Sequence, residues 1–325
     1  MPENSDHAVS QWGWINSRML YHNYCTQNDI GRHLPEDTGF FRLVFFAWDA
    51  GVADITRWLG GAQARRPQDV FHFLSSDEFQ ARDFTAAGLS ARHVSHNAFL
   101  DESLYPVAET GPRTRRYGAV CISRMSRFKR HHLAQAVPRV LFIGSVVADG
   151  DDQAYFEELA ALMPEAEYTH REQRWLSTPE VARRANEAAT GLILSEVEGG
   201  SYATTEYMLC GLPVVSTASR GGRDCWLHPR YSRVVPASPR AVAEAVEELT
   251  AHPPNPHDVR DHALRVMCEH RRRFFELGQQ LYEVENTGRD FARDFYASFR
   301  HKVADWQPNA AVMEVWARSF GNRGG

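Results

Sequence analysis

Lysine is almost absent from this chain of 325 residues. Lys129 and Lys302 are the only two lysines, so nearly all of the 36 basic residues are arginines. Acidic residues number 41, the formal net charge is −5, and the basic clusters at 113–116 and 271–273 are short and separate. Binding a nucleic acid backbone usually needs several phosphate contacts from a basic stripe. We therefore expect no nucleic acid partner.

Long apolar runs are lacking as well. No stretch approaches the roughly 20 apolar residues that a membrane-spanning helix needs, so we expect no transmembrane segment. Peripheral contact with a membrane stays compatible with the sequence. The arginines at 271–273 precede Phe274 and Phe275, a pattern that favours a solvated helix face beside two core aromatics over a membrane-binding surface.

Cysteine forms no pattern typical of a disulfide framework or a zinc site. The five cysteines are odd in number and scattered, without a C-x-x-C pair: Cys25, Cys121, Cys210, Cys225 and Cys268. Such usage is typical of a reducing compartment. The first residues also lack the cationic and apolar segments of a signal peptide. We therefore expect a cytoplasmic protein without a zinc site.

The sequence does contain alternating strand-like and helix-like segments. Strand-like runs in the first third lie at 43–48, 70–74 and 92–95. A linker rich in Gly, Pro and Arg is predicted at 110–116. Further strands are predicted at 118–123, 139–144, 166–169, 191–195, 212–217 and 233–236. The alternation predicts a parallel sheet covered by helices, with ligands at the carboxyl ends of its strands. Helices are also predicted at 258–285 and 287–304.

The segment between the predicted strands at 191–195 and 212–217 contains a specific chemical pattern. Glu198 and Glu206 are separated by seven residues, and two glycines follow Glu198. A short helix is predicted from Tyr202 to Cys210. A strand that leads through glycines into a helix forms an anion site, because N–H groups at the helix N-terminus point outward. Two carboxylates beside such a site suit a ligand with both phosphates and hydroxyls, such as a nucleotide sugar.

A second charged pair follows the predicted strand at 118–123. Arg124 and Lys129 are separated by four residues, and Lys129 is one of the two lysines of the chain. A guanidinium fork and an ammonium that converge can bind an anion such as a phosphate. The alternative interpretation is a solvated basic turn.

Together the two segments resemble the signature of the retaining GT-B glycosyltransferases, especially family 4. That pattern runs roughly E-G-[FGS]-x5-E-A-x-x-x-G-x-P-V-[VI]-[AS]-[TS], and R-x4-K follows the first strand of the second domain. Tyr207 stands where the family usually has Ala. The matching residues here are Arg124, Lys129, Glu198, Gly199, Glu206, Gly211, Pro213, Val214, Val215, Ser216 and Thr217.

The resemblance implies an α/β GT-B fold, with two Rossmann-like domains whose parallel sheets face each other across a cleft. We expect a shortened acceptor-side domain at 1–112, a nucleotide-sugar-binding domain at 113–286, and C-terminal helices within 287–325 that pack back on the first domain. The first domain lacks a clear glycine-rich loop after its first strand, where Gly60-Gly61 is a weak substitute. The stretch from His96 to Pro106 resembles the family's passage into the second domain.

The resemblance also implies roles for the donor-site residues. The diphosphate of a nucleotide diphosphate sugar is expected between Arg124, Lys129 and a loop made of Gly199, Gly200, Ser201 and Tyr202. Glu206 is expected to accept hydrogen bonds from the ribose, and Glu198 to contact the transferred sugar. Retention is expected. No metal or other cofactor is expected, because arginine, lysine and helix N–H groups supply the positive field.

On the acceptor side, His96 is the candidate nearest the expected cleft. The expected acceptor is a small molecule, a glycan or a lipid-linked saccharide. Other functions remain open: a sugar-nucleotide epimerase or hydrolase on the same fold, a degenerate glycosyltransferase that serves as a binding subunit, or a transferase that modifies nucleic acid.

Overall fold

The computed structural model describes residues 8–25, 29–46, 50–108, 115–146, 151–172 and 174–320. The chain divides into two compact units, formed by residues 1–100 with 269–325 and by residues 101–268. The predicted boundary at 112 and most of the predicted linker lie outside the described residues. The second unit ends at residue 268, whereas the sequence predicted a domain end at 286. Among the described residues, no helix combines the length and apolar character needed to cross a membrane.

Six strands form the sheet of the first unit. In sheet order they are β12 (Asp305–Pro308), β1 (Val9–Asn16), β2 (Met19–Asn23), β3 (Phe41–Phe45), β4 (Val70–Ser75) and β5 (Ala91–His93). Strands β2 to β5 are parallel, whereas β1 runs antiparallel to both β2 and β12. The helices of this unit are α1 (Val52–Arg65), α2 (Glu78–Ala86), the end of α7 (Pro256–Val284), α8 (Phe291–Ser298) and α9 (Val312–Phe320).

Three strands of this sheet, β1, β2 and β12, are absent from the sequence prediction. The helix predicted at 287–304 is limited to α8, and the chain then returns as β12 beside β1. Strand β3 starts at Phe41, earlier than predicted, and residues 47 and 48 at the end of the predicted strand lie outside the described residues. Strand β1 contains the sequence W-G-W. Both Trp12 and Trp14 are buried, and they pack with residues far away in the chain that a local sequence pattern does not reveal.

Aromatic side chains fill one face of this sheet. Phe274 on α7 and Phe291 on α8 pack in one cluster with Tyr21 and Phe45 of the sheet. Arg272 is exposed on the same stretch of α7, so the predicted solvated face is confirmed at that residue. Its neighbours Arg271 and Arg273 are instead half-buried. Arg271 donates to the backbone carbonyl oxygens of Ala98 and Leu100, and Arg273 donates to that of His93.

A buried network of charged side chains joins β2 and β3. Arg42 is fully buried, and its guanidinium donates to Asp29 Oδ1 at 2.8 Å and to His22 Nε2 at 3.1 Å. Burial and the nearby Arg42 lower the pKa of His22 to about 3, so the neutral ring can accept this bond. Burial acts to raise the pKa of Asp29, but Arg42 and Arg65 hold it below its ordinary value. The buried Arg42 guanidinium is therefore paired with the Asp29 carboxylate, which offsets the cost of burying either charge alone.

Six parallel strands form the sheet of the second unit. In sheet order they are β11 (Ser232–Val235), β10 (Val214–Thr217), β9 (Ala188–Ile193), β6 (Tyr117–Ile122), β7 (Val140–Ile143) and β8 (Glu167–Tyr168). Each overlaps a predicted strand, so the predicted parallel sheet is confirmed. The strand order reverses between β6 and β9, where ligands of such sheets bind. The helices are α3 (Asp151–Leu162), α4 (Thr178–Ala185), α5 (Tyr202–Leu209), α6 (Pro239–Ala251) and the start of α7.

Tyr207 on α5 fills the space beside Gly191 on β9. A Cβ atom on Gly191 would lie 2.3 Å from Tyr207 Cδ2, so the ring fits only against glycine. The Tyr207 hydroxyl accepts the N–H of Ile122 at 2.5 Å and lies 3.4 Å from the carbonyl oxygen of Leu192. Burial raises the pKa of Tyr207, so the hydroxyl stays protonated. Tyr207 therefore connects α5 to both β6 and β9.

Replacing Gly191 with alanine is expected to destabilise the second unit by about 1–3 kcal/mol, because the added methyl group overpacks a filled site. Denaturant unfolding followed by circular dichroism measures the change. Gly60→Ala is the control: apart from the adjoining turns of α1, no atom lies within 4 Å of the added Cβ, so stability should stay equal or rise by up to about 1 kcal/mol. Equal unfolding midpoints for wild type and Gly191→Ala would contradict this account of the packing.

Candidate functional site

The carboxyl ends of β6 and β9 lie side by side because the two strands pair in parallel, with Val120 opposite Gly191. The chain that leaves β6 carries Arg124 and Lys129, and the chain that leaves β9 carries Glu198. The two charged segments of the sequence therefore meet at one edge of the sheet.

Lys129 and Glu198 form a direct ion pair. The Lys129 ammonium donates to Glu198 Oε1 at 2.9 Å and to Oε2 at 2.6 Å. Only 16% of the lysine side chain and 12% of the glutamate side chain are exposed. Ser195 Oγ adds a hydrogen bond to Glu198 Oε2 at 2.7 Å. The sequence predicted one ligand for both charged residues but not this bond between them.

Arg124 lies on the more exposed part of the same edge. Its Nε donates to Ser126 Oγ at 2.6 Å and lies 3.4 Å from Asp152 Oδ2, while 43% of its side chain is exposed. The Arg124 guanidinium carbon lies 5.6 Å from the centre of the Phe128 ring, and Lys129 Nζ lies 4.9 Å from the same centre. Both cations thus lie within cation–π range of the same ring.

Two further arginines tie the strand ends together. Arg130 has a φ of 52°, in the left-handed region, and its guanidinium donates to Leu194 O at 2.6 Å and Thr217 Oγ1 at 2.8 Å. Arg223 is fully buried and donates to the carbonyl oxygen of Ser195 at 3.1 Å, to Ser195 Oγ at 3.2 Å and to the carbonyl oxygen of Thr217. Burial lowers the pKa of Arg223. Neither residue was predicted from the sequence. The one feature that could have identified them is their position after predicted strands.

The backbone of Glu198 is fixed by the loop that follows β10. The Glu198 N–H donates to Arg220 O at 2.9 Å, and the Gly222 N–H donates to Gly199 O at 3.0 Å. Gly221 has a φ of 104°, and a Cβ atom there would lie 2.1 Å from Glu198 O. Glycine is required at this position because of both its backbone conformation and the close approach of the two loops.

The predicted donor loop of Gly199, Gly200, Ser201 and Tyr202 leads directly into α5, for which Ser201 is the N-terminal cap residue. The predicted helix from Tyr202 is confirmed.

Glu206 lies on α5 and is 8% exposed. The Tyr105 hydroxyl donates to Glu206 Oε1 at 3.0 Å. Burial and the Glu206 carboxylate raise the pKa of Tyr105, so its hydroxyl stays a donor. Arg260 donates to the carbonyl oxygens of Tyr105 and Leu209 and so fixes this segment against the end of α5. Tyr105 lies in the stretch from His96 to Pro106 that the sequence singled out, but its contact with Glu206 was not predicted.

His96 belongs to the first unit, whereas the other predicted site residues belong to the second. Its ring is buried, with its centre 5.3 Å from that of Phe45. The structure thus shows His96 packed against β3, and a role in catalysis stays a prediction.

Comparison with known proteins agrees with this geometry. Residues 116–252 match the family described as glycosyl transferases group 1, and this range contains every predicted site residue of the second unit. No curated protein matches the chain in sequence.

Solved structures share the fold at low sequence identity. The sucrose-phosphate synthase of Thermosynechococcus elongatus has a TM-score of 0.59 and 16% identity, covering 83% of this chain and 74% of its own. HepE of Anabaena, solved with UDP, has a TM-score of 0.50 and 16% identity, covering 75% and 78%. The pneumococcal O-GlcNAc transferase GtfA, solved with UDP and GlcNAc, has a TM-score of 0.52 and 13% identity, covering 75% and 53%.

These structures confirm the predicted GT-B fold, and the family match confirms the predicted enzyme class. Residues 116–252 match the model of the glycosyl transferases group 1 family, and the protein is a glycosyltransferase with a GT-B fold.

Proposed function

We propose that the protein moves a sugar from a nucleotide diphosphate sugar to an acceptor hydroxyl, with retention of configuration at the reacting carbon. The meeting of Arg124, Lys129 and Glu198 at the carboxyl ends of β6 and β9 is the observation that carries this proposal. Two cations around one ring at a strand end suit a diphosphate, and a carboxylate paired with one of them suits the hydroxyls of a sugar.

In this mechanism, the donor diphosphate lies against Arg124 and Lys129, which offset the negative charge that develops as the glycosidic bond breaks. Backbone N–H groups at the start of α5 add further donors. Glu198 accepts hydrogen bonds from the transferred sugar, and Glu206 accepts them from the ribose. The departing phosphate oxygen takes the proton of the acceptor hydroxyl, which attacks from the same face and so retains the configuration.

UDP-sugars are the first donors to test, because HepE was solved with UDP and with UDP-glucose, and GtfA with UDP and GlcNAc. The proposed acceptor is a small molecule, a glycan or a lipid-linked saccharide, and His96 is the proposed first-unit residue on the acceptor side. The positive field of Arg124, Lys129 and the start of α5 takes the part that a metal ion plays in other sites.

A panel of nucleotide sugars tests the proposal, with release of nucleotide diphosphate as the first measurement and NMR of the product as the second. Transfer gives acceptor-dependent release and a product with the donor's anomeric configuration. An epimerase would change the sugar without net release, a hydrolase would release nucleotide without using an acceptor, and a binding subunit would do neither.

Replacing Lys129 with alanine is expected to lower turnover about 100- to 1000-fold, because the leaving group loses a charge that stabilises it. Steady-state kinetics with the identified donor measures this loss. The matched control is Lys302→Gln, which removes the other lysine of the chain and should leave turnover unchanged. Turnover of Lys129→Ala within a few-fold of wild type would contradict the proposed contact between Lys129 and the donor diphosphate.

The two glutamates are expected to divide their roles. Glu206→Gln should mainly weaken nucleotide binding, because ribose contacts are equally strong in the ground and transition states. Glu198→Gln should mainly lower kcat, because it contacts the reacting sugar. Calorimetry with the free nucleotide diphosphate and kinetics with the donor separate the effects, and unchanged nucleotide affinity in Glu206→Gln would overturn this division.

Transfer is expected to continue in EDTA, with an initial rate within about twofold of that in magnesium or manganese, because protein cations supply the positive charge. Paired rate measurements on the same enzyme preparation give the comparison. Loss of activity in EDTA that either metal restores would refute metal independence.

A further inference from the structure

Ser123 and His131 share a hydrogen bond beside Arg124 that the mechanism above does not use. Ser123 is the first residue after β6, and it is half-buried. His131 is fully buried, with its Nε2 2.7 Å from Ser123 Oγ. The rings of Phe142 and Tyr155 lie with their centres 5.5 and 5.8 Å from that of His131. The imidazole therefore packs against two aromatic rings, and its Nε2 has one polar neighbour.

The burial of His131 decides where its ring proton lies. Burial and the nearby Lys129 lower the pKa of His131 to about 3, so the ring is neutral near pH 7 and carries one N–H. Its Nδ1 is buried and has no hydrogen-bond partner among the described residues. A buried N–H without an acceptor is less tolerated than a buried lone pair without a donor. We therefore assign the proton to Nε2, from which His131 donates to Ser123 Oγ.

This arrangement directs the Ser123 hydroxyl proton away from His131. Within the described part of the chain, the other hydrogen-bond neighbour of the hydroxyl is Cys121 Sγ at 3.7 Å, and sulfur is a weak acceptor. The backbone at this point is held firmly, because the Ser123 N–H donates to Ile143 O at 3.0 Å. A Cβ atom on Gly144 would lie 1.9 Å from Ser123 O, so the backbone at Gly144 packs directly against the backbone of Ser123.

We propose that the Ser123 hydroxyl donates a hydrogen bond to an oxygen of the donor diphosphate, as a third protein donor beside Arg124 and Lys129. His131 is the positioning residue that sets the direction of this hydrogen bond. The inference rests on the proposed function, since it takes the diphosphate to lie at the end of β6. A phosphate oxygen replaces sulfur as the acceptor because hydrogen bonds to charged acceptors are the stronger ones.

Calorimetry with wild type and Ser123→Ala tests the contact, using UDP, GDP and ADP, each beside its nucleoside without phosphate. For the diphosphate that wild type binds, the Kd of Ser123→Ala should rise about 10- to 100-fold, as expected for losing a hydrogen bond to a charged group. Affinity for the matching nucleoside should not change. Ser232→Ala, a buried serine on β11, is the control and should bind the diphosphate as wild type does.

The outcomes separate the inference from the proposed function. If wild type binds none of the three diphosphates, the proposed function fails and the inference fails with it. If wild type binds one of them and Ser123→Ala binds it equally tightly, the Ser123 contact alone is overturned. An equal loss of affinity for the nucleoside would also overturn it, because that loss is not specific to phosphate.

The role of His131 has its own test. Nitrogen-15 NMR of the histidine rings should show the proton on Nε2 between about pH 5 and pH 8, and a proton on Nδ1 would overturn the assigned direction. His131→Gln retains an N–H donor and should keep diphosphate affinity within a few-fold, whereas His131→Phe should lose as much as Ser123→Ala. In the Ser123→Ala background both substitutions should add nothing. A further loss there would show a purely structural role.

Discussion

The parallel pairing of β6 with β9 is the constraint on which the site of the second unit depends. It brings Lys129 within bonding distance of Glu198, although the two lie 69 positions apart in the chain. Tyr207 secures this pairing, because its ring occupies the space beside Gly191 and its hydroxyl takes the N–H of Ile122. The tyrosine that departs from the family pattern is therefore matched by a glycine on the neighbouring strand.

A chain of hydrogen bonds with defined directions orients Glu198. Arg223 donates to Ser195 Oγ, so the Ser195 proton is directed to Glu198, and Lys129 donates to the same carboxylate from the other side. In a partly buried site such bonds are stronger than in water, and each donor already has its acceptor. The carboxylate is thus held in one orientation by groups from both strand ends.

The scarcity of lysine has a counterpart in the use of arginine at this site. Arg130 and Arg223 each connect a residue just after β9 with Thr217 at the end of β10, which a planar guanidinium with five donors can do better than an ammonium. Lys129 instead directs a compact charge at one carboxylate. In the first unit Arg42 serves a similar structural purpose, since it links Asp29 to His22 in the interior. Arg130, Arg223 and Arg42 therefore hold the structure together, while Arg124 and Lys129 are the cations of the proposed donor site.

What the sequence alone determined is local. Strand periodicity and the glycines before α5 are visible within short windows, so all six strands of the second unit and the positions of Arg124 and Glu198 at strand ends could be predicted. Strands β1 and β12 could not, because Val9 pairs with Pro308 299 positions later and no short window contains both. Hydrogen-bond partners likewise escaped prediction, as with Tyr105 and Glu206. Only the tertiary structure decided these pairings, because they depend on the order of strands in each sheet and on which loops that order brings together.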